Sequence, residues 1–250
     1  MLNDVSQKGW VWVAVAAILA VSLVVSSSVV SNGIVKAKGV DNVITVTGSA
    51  KEQIKSDLVF WSGSFSAQSP KLADAYAQLR ADQVKVAAYL KKKGIAEKDI
   101  VFNSINTTTN YVQLPNGQYS NQIDSYRLMQ QVEISSDRVD EITVISREAT
   151  ELINEGVEFQ SNPPNYYYTK LAEKKIDMLA KATADARQRA ERIGENAESD
   201  IGKLRSARQG VFQIMPLYSE SGDMSDGGTN DTSSLDKEIM AVVSCSFEVD

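Results

Sequence analysis

The sequence predicts an α+β fold, with antiparallel or mixed sheets, long amphipathic helices packed on one face, and one N-terminal transmembrane helix. Three observations support this prediction. An uncharged run extends from Gly9 to Val35. Runs of β-branched or alternating apolar residues, such as Val43–Ala50, are typical of strands. Two long segments repeat apolar residues at intervals of three and four, which is the spacing of one helix face.

The N-terminal run is long enough for a membrane anchor. Trp10–Val30 contains 21 residues, of which 17 are apolar. A helix that rises ~1.5 Å per residue would then cross the ~30 Å hydrocarbon layer. The chain therefore divides into a short tail (1–9), an anchor (10–32), a linker (33–42) and a folded domain (43–250). The predicted anchor residues are Trp10, Trp12, Ile18, Leu19 and Leu23.

Two other interpretations of this run stay open. A cleaved signal peptide would use a small-residue site such as Ser26–Ser28 or Val35–Ala37, although its apolar run is usually shorter. A buried core helix is the other interpretation. Because Lys8 lies on one side and Lys36 and Lys38 on the other, the positive-inside rule gives little orientation. The short head favours an inside head and an outside body.

The first part of the folded domain predicts two strands and a helix. The strands are Val43–Ala50 and Asp57–Gln68, and in the second strand Val59 and Trp61 point away from Leu58. Ser69 is predicted to cap the helix, with Pro70 in its first turn, and Gly94 to end it after the cations Lys91–Lys93. The predicted buried face is Leu72, Tyr76, Leu79, Gln83, Val86 and Leu90.

The middle of the domain predicts a hairpin, a short helix and a strand. Ile100–Leu114 is the first strand, and a turn at Pro115–Gly117 leads into a return strand through Tyr126–Ile134. The helix extends from the capping residues Ser135–Asp137 to Ile153. Gly156 ends this helix, and a short strand follows at residues 157–160.

The last part predicts the longest helix, two strand regions and a loop. After the break at Pro163–Asn165, the helix covers Tyr166–Ala197. Its small-residue face would allow close packing on a sheet or helix. That face is Ala172, Ile176, Leu179, Thr183, Ala186, Ala190 and Ile193. Strands are predicted at 201–217 and 238–249, and the Gly/Ser/Asp-rich residues 219–234 predict a mobile loop.

The composition makes most enzyme classes improbable. The chain has no histidine, which removes His-based acid–base catalysis and the commonest metal ligand sets. It has one cysteine, so an intrachain disulfide is excluded. The net charge of −6 argues against a nucleic-acid partner. We therefore expect a non-enzymatic protein with no catalytic residues, no cofactor and no metal.

Three features are candidates for a site. The aromatic run Tyr166, Tyr167 and Tyr168 could form an oligomer interface, or one or two of its rings could cover the core. Cys245 could sense redox state, but its apolar neighbours favour a core position. The acidic loop Asp223–Asp231 lacks EF-hand spacing, because the twelfth position holds a serine instead of the required glutamate.

Several short motifs, in their order and spacing, resemble the SIMPL domain family (DUF541) over about residues 40–250. A family proline before the second strand is replaced here, since Lys55-Ser56-Asp57 stands at that place. The motifs are VTGSA at Val46–Ala50, the turn Lys93-Gly94-Ile95 with Lys98-Asp99-Ile100, the strand Tyr126–Ile134, the helix end Ala186–Gly194 with Ile201–Leu204, and the last strand Ala241–Val249.

The resemblance implies a bacterial envelope protein without established catalytic residues. Members commonly carry a signal peptide or anchor and face the periplasm or cell exterior. Some are linked to oxidative-stress defence, and some assemble as large closed homo-oligomers. We therefore expect a single-pass protein of the cytoplasmic membrane, with its C-terminal domain in the periplasm or exterior, that self-assembles as a scaffold, cage or pore-like structure. The alternative is a periplasmic binding module for a small molecule, peptide or protein partner.

Overall fold

The structure is a computed structural model that describes residues 19–31, 42–219 and 227–249. Within these ranges it confirms the α+β class, with two mixed or antiparallel sheets and four α-helices. The helices are α1 (19–31), α2 (Leu72–Lys92), α3 (Val139–Glu148) and α4 (Leu171–Asn196), with 3-10 turns at Glu97–Asp99 and Ala149–Glu155.

Eleven strands make up the two sheets in the described ranges. The first sheet has the order β1-β11-β9-β10, with β8 paired to β11. The second has the order β3-β5-β2-β6, with β4 paired to β5 and β7 paired to β2. The strands are β1 (Val43–Lys55), β2 (Leu58–Ser69), β3 (Ile100–Phe102), β4 (Asn106–Gln113), β5 (Tyr119–Ser136), β6 (Glu158–Ser161), β7 (Asn165–Tyr167), β8 (Ile201–Gln209), β9 (Gln213–Pro216), β10 (Thr229–Asn230) and β11 (Asp236–Val249).

The described chain forms two compact units. The larger unit comprises Thr47–Arg187 and the described part of Arg208–Ser244, and it contains the whole second sheet. The smaller unit comprises Gln188–Ala207 together with the described residues up to Val46 and after Ser244.

Strands β2 and β5 are the centre of the larger unit. They pair antiparallel from Val59↔Ser136 to Ser69↔Tyr126. The predicted alternation in β2 is confirmed, because the inner residues Val59, Trp61 and Phe65 are at most 1% exposed. Helices α2 and α3 and the 3-10 turn at 149–155 cover this inner row, and the buried helical residues are Leu79, Val86, Leu90, Ile142, Ile145 and Leu152.

The start of α2 differs from the prediction. Ser69 is not the N-cap: it is the last residue of β2, where it pairs with Tyr126, and the helix begins at Leu72. The strand pairing holds Ser69 extended, and its hydroxyl instead accepts a hydrogen bond from the Lys71 N–H at 3.2 Å. Because the start is shifted, Leu72 and Tyr76 are 45% and 49% exposed, and Ala75 is buried in their place.

The end of α2 agrees with the prediction. Gly94 has φ +87°, the left-handed conformation that favours glycine. The Ile95 N–H donates to the Leu90 carbonyl at 3.0 Å, and both side chains are buried. Glycine therefore ends the helix while the next apolar residue enters the core.

The predicted strand Ile100–Leu114 is interrupted. Residues 103–105 separate β3 from β4, and both pieces pair with β5. The predicted hairpin turn is confirmed, since Gly117 donates to the Leu114 carbonyl and Leu114 to the Gln118 carbonyl. The break gives β5 two short partners instead of one long one.

The start of α4 is also wrong in the prediction. Tyr166 and Tyr167 form strand β7, and the helix begins at Leu171. Two contacts explain the difference. Tyr167 pairs with Leu58 of β2, and the Asp57 carboxylate accepts hydrogen bonds from the N–H and the hydroxyl of Thr169 at 2.7 and 2.8 Å.

The buried face of α4 is the predicted one only in part. Ala186 and Ala190 are fully buried, as predicted, but Met178 and Ala182 are also fully buried, whereas Ile176 is 72% exposed. Gly48 of β1 allows this face of α4 to pack closely, because a Cβ atom at this position would overlap the Ala182 carbonyl and the Ala186 amide. Close packing through small residues is therefore confirmed, with Gly48 of β1 as its other half.

In the smaller unit, the Glu248 carboxylate links β11 to β8. It accepts a hydrogen bond from the Lys203 N–H at 3.2 Å and forms an ion pair with Arg205. Thr45 and Ser246 share a hydrogen bond of 2.8 Å between their hydroxyls.

Part of the predicted loop 219–234 has regular structure. Thr229 and Asn230 form β10, which pairs parallel with β9. The Asp231 carboxylate accepts hydrogen bonds from Ser233 and Ser234. Residues 220–226 of this loop, including Asp223, lie outside the described residues.

Only part of the predicted anchor 10–32 is described. Trp10, Trp12 and Ile18 lie outside the described residues, whereas Leu19 and Leu23 belong to α1 and are 58% and 70% exposed. Among the residues that the structure describes, no helix has the length and apolar character needed to cross a bilayer. The anchor stays a prediction.

A test of the inner sheet face uses Gly63. A Cβ atom at this position would overlap the Phe159 ring, so we expect Gly63→Ala to lower the free energy of unfolding by about 1–3 kcal/mol. Ser64→Ala is the control, since Ser64 points to the other face of β2. Urea unfolding measures both variants, and the penalty should shrink when Phe159 is shortened to alanine. Equal stability of the two single variants would contradict this packing.

A second test concerns the ion pairs between β1 and α4. Glu52 accepts hydrogen bonds from Lys174 and from Lys181, the latter at 2.6 Å, and these bonds lower the pKa of its carboxyl below 4.5. A lowered folded-state pKa stabilises the fold above pH 4.5, and this contribution is lost as the pH falls through the folded value.

We therefore expect Glu52→Gln to reduce stability at pH 7 by about 1 kcal/mol or less. The difference from wild type should shrink as the pH falls below 4.5 and through the lowered pKa of the Glu52 carboxyl. Thermal unfolding from pH 7 into the acid range measures it, and the control is Glu173→Gln, which removes an exposed carboxylate of α4. A difference that stays constant from pH 7 down to the onset of acid unfolding would exclude the ionic explanation.

Candidate functional site

An apolar cleft lies between the first turns of α2 and the strands β4 and β5. Its volume is about 560 Å³, and it is lined by Leu72, Ala73, Tyr76, Ile105, Thr107 and Leu128. The polar groups of this lining are the hydroxyls of Thr107 and Tyr76, and none of the lining residues is Asp, Glu, Lys or Arg. A cleft with this lining can accommodate an apolar group.

Local structure creates this cleft. Ser69 ends β2, so α2 begins only at Leu72, and the first helical turn leaves Leu72 and Tyr76 half exposed. The interruption between β3 and β4 places Ile105 in the wall of the cleft that faces the start of α2. The helical spacing of apolar residues predicts Leu72 and Tyr76 in the core, and no feature of the sequence indicates the cleft.

The second feature is a buried lysine. Lys237 is 2% exposed, and its Nζ donates hydrogen bonds to the Tyr166 carbonyl at 2.7 Å and the Asp231 carbonyl at 2.6 Å. Burial lowers the pKa of this ammonium, while the Asp231 carboxylate acts in the opposite sense. Burial raises the pKa of the Asp231 carboxyl, but hydrogen bonds from Ser233 and Ser234 outweigh it, and the net shift is downward.

Lys237 therefore has a structural task. Its ammonium holds together β7, the segment before β11, and β11 itself. Lys237 is not among the predicted site residues, although the sequence carries a signal for it: this residue is in phase with the buried Ile239 and Ala241 along the strand. A charged residue in an apolar alternation indicates a buried partner set.

The cations that end α2 are partly engaged. Lys93 donates to the Glu148 carboxylate at 2.6 Å, and its Nζ lies 5.3 Å from the centre of the Tyr89 ring. The hydrogen bond to Glu148 raises the pKa of the Lys93 ammonium, while burial raises the pKa of the Tyr89 hydroxyl. This lysine thus ties α2 to the end of α3, a role beyond helix capping.

The three predicted interface tyrosines have different environments. Tyr166 is 7% exposed, and its hydroxyl shares a 3.0 Å hydrogen bond with Thr143, so this ring is part of the domain core. Tyr167 is 41% exposed and Tyr168 is half-buried. The exposed aromatic surface of the segment is therefore centred on Tyr167, and its role as an interface stays a prediction.

Cys245 is fully buried on β11, as its apolar neighbours predicted. Burial raises the pKa of its thiol, which disfavours the thiolate. In the part of the chain that the structure describes, no group of three or more His, Cys, Asp or Glu side chains is arranged to hold a metal ion.

Replacing the buried lysine tests its task. Lys237→Met keeps the length of the side chain but leaves the Tyr166 and Asp231 carbonyls without this donor, so we expect a loss of about 1–3 kcal/mol. The exposed Lys203→Met should change stability by less than about 0.5 kcal/mol. Urea unfolding at pH 7 compares the two variants, and equal effects would contradict the structural role.

Comparison of the sequence with known protein families identifies one match. The model of the SIMPL family, described as a protein of unknown function (DUF541), matches residues 44–247. No curated protein matches the chain.

Proposed function

The chain belongs to the SIMPL family, and from that premise we propose that it is a non-enzymatic, membrane-anchored envelope protein that assembles into a large homo-oligomer. Its folded domain would lie outside the cytoplasmic membrane, in the periplasm or at the cell exterior. The assembly would act as a scaffold, cage or pore-like structure, in keeping with the role in envelope or oxidative stress that the family resemblance implies.

The anchor is supported by the uncharged run and by the part of it that is described. Helix α1 has exposed apolar side chains along its length: Leu19 58%, Val21 64%, Leu23 70%, Val24 69% and Val25 54%. Exposed apolar surface of this density is costly in water, and burial in lipid would remove the cost.

The assembly is supported chiefly by the hairpin of β4 and β5. Its outer part, residues 110–125, is defined here as the hairpin arm. The arm exposes large apolar side chains: Tyr111 46%, Leu114 40%, Tyr119 71% and Ile123 48%. Tyr111 and Ile123 are cross-strand partners, so two of these side chains lie together. Aromatic and apolar side chains of this kind are enriched at protein interfaces.

The hairpin arm provides the test of assembly. We expect the double variant Tyr119→Ser and Ile123→Ser to reduce the oligomer to smaller species, because it removes apolar contact area from the arm. The control is Tyr218→Ser and Val84→Ser, which removes two similar side chains that are 89% and 69% exposed elsewhere. Light scattering of the detergent-extracted full-length protein measures the mass of each.

Two results would contradict this proposal. A wild-type protein that is strictly monomeric at micromolar concentration would exclude self-assembly. Quantitative release of the wild-type chain from membranes by alkaline carbonate would exclude the anchor. Circular dichroism of both double variants distinguishes a lost interface from a lost fold.

The apolar cleft favours a second candidate, a binding module. Its volume of about 560 Å³ lies in the range of small-molecule sites, and Leu72 and Tyr76 offer half-exposed apolar surface on one wall. In this alternative, the domain would capture an apolar group of a small molecule, peptide or envelope partner.

A further inference from the structure

A second cavity lies on the outer face of the second sheet, and six of its eight lining residues are polar. Its volume is about 500 Å³. It is located where the chain passes from β3 to β4, next to the cross-strand pair Ser64 and Gln131. On β2 and β5 the neighbouring residues Gly63 and Val132 are buried, so the cavity and the apolar core use alternate positions of the same strands.

Two amide side chains of the cavity are held in place by hydrogen bonds. Asn162 donates through its Nδ2 to the Ser62 hydroxyl at 3.0 Å. Asn103 donates through its Nδ2 to the Glu133 carboxylate at 2.6 Å, and its main-chain carbonyl accepts a hydrogen bond from the Gln130 side chain at 2.8 Å. These hydrogen bonds orient both side-chain amides.

Four other polar side chains of the lining have unused hydrogen-bonding capacity. Within the described residues, the side chains of Ser64, Ser104, Asn106 and Gln131 make no hydrogen bond, although all four line the cavity. An amide side chain offers two donors and one acceptor oxygen, and a hydroxyl offers both functions. A ligand in this cavity would therefore meet donors and acceptors in similar number.

The lining has no charge. None of its residues is Asp, Glu, Lys or Arg. The nearby Glu133 is engaged by Asn103, and Arg127 is engaged by Glu158 and by the Ser66 hydroxyl at 2.9 Å. An ionic ligand would find no compensating charge in the lining, so the site favours a neutral one.

From these observations we propose that the cavity binds an uncharged carbohydrate. Sugar hydroxyls donate and accept hydrogen bonds at once, which matches the mixture of donors and acceptors that these amides and hydroxyls offer. Ile105 and Met129, which is 46% exposed, complete the lining and offer apolar contact for the C–H face of a sugar ring. The volume lies within the usual range of about 300–1,000 Å³ for small-molecule sites. This site is distinct from the hairpin arm, so binding does not depend on self-assembly.

The test uses full-length protein in a detergent without a sugar head group. The probes are maltotriose and the trimer of N-acetylglucosamine, and binding is measured by saturation-transfer NMR and titration calorimetry. We expect at least one probe to bind with a dissociation constant of about 1 mM or tighter. Gln131→Ala and Asn106→Ala should each weaken it about tenfold, the effect of one lost hydrogen bond.

The matched control is Gln160→Ala. Gln160 is an exposed amide on β6 that does not line the cavity, and its replacement should change affinity less than twofold. Ser64→Leu, which places a larger apolar side chain in the cavity, should abolish binding while the far-ultraviolet circular dichroism stays native.

Three results would overturn the proposal. One is the absence of binding of both trisaccharides to the wild-type protein. Another is binding that Gln131→Ala and Asn106→Ala leave unchanged. The third is displacement of the sugar by sulfate or succinate at equal concentration, which would indicate an ionic site. Light scattering of the same samples reports assembly separately, so the failure of one proposal is distinguishable from the failure of the other.

Discussion

The antiparallel pairing of β2 with β5 is the constraint on which the larger unit depends. β2 also pairs with β6 and β7, and β5 with β3 and β4, so every strand of the second sheet is attached to one of these two. Their inner side chains, with Trp61 opposite Ile134, provide the surface on which α2 and α3 pack. The long pairing also fixes where other elements begin: Ser69 stays extended, which delays α2, and Leu58 holds Tyr167 in a strand, which delays α4.

Local sequence patterns correctly predicted those elements in which the spacing of apolar residues within the element decides which side chains are buried. The alternation in β2 and β5, the glycine at the end of α2 and the turn before β5 agree with the structure because each depends on neighbouring residues. The errors share another cause. The start of α4 and its buried face depend on Leu58, Asp57 and Gly48, which are distant in the chain. The close approach of Gly48 on β1 to Ala182 and Ala186 is a contact that helical spacing alone does not reveal.

The candidate sites were less predictable than the core. Lys237 was detectable, since its place in an apolar alternation implies buried partners, but its acceptors are backbone carbonyls, which no side-chain pattern reveals. Both cavities arise at the break between β3 and β4, where Ile105 lines the apolar cleft and the polar cavity alike. The sequence pattern predicts one continuous strand over Ile100–Leu114, so it does not indicate this interruption or the two cavities beside it.

The core and the polar cavity are specified by one register. Successive residues of a strand face opposite sides, so a slip of one residue between β2 and β5 would exchange the two rows. Trp61 and Phe65 would then face outward, and Ser62, Ser64 and Ser66 would enter the core without partners. Burial of the inner aromatic side chains provides the free energy that opposes such a slip. Because both rows belong to the same strands, the same free energy holds the outer polar side chains in register. The positions of the cavity residues on β2 and β5 are therefore fixed by the burial of the opposite face of the same strands.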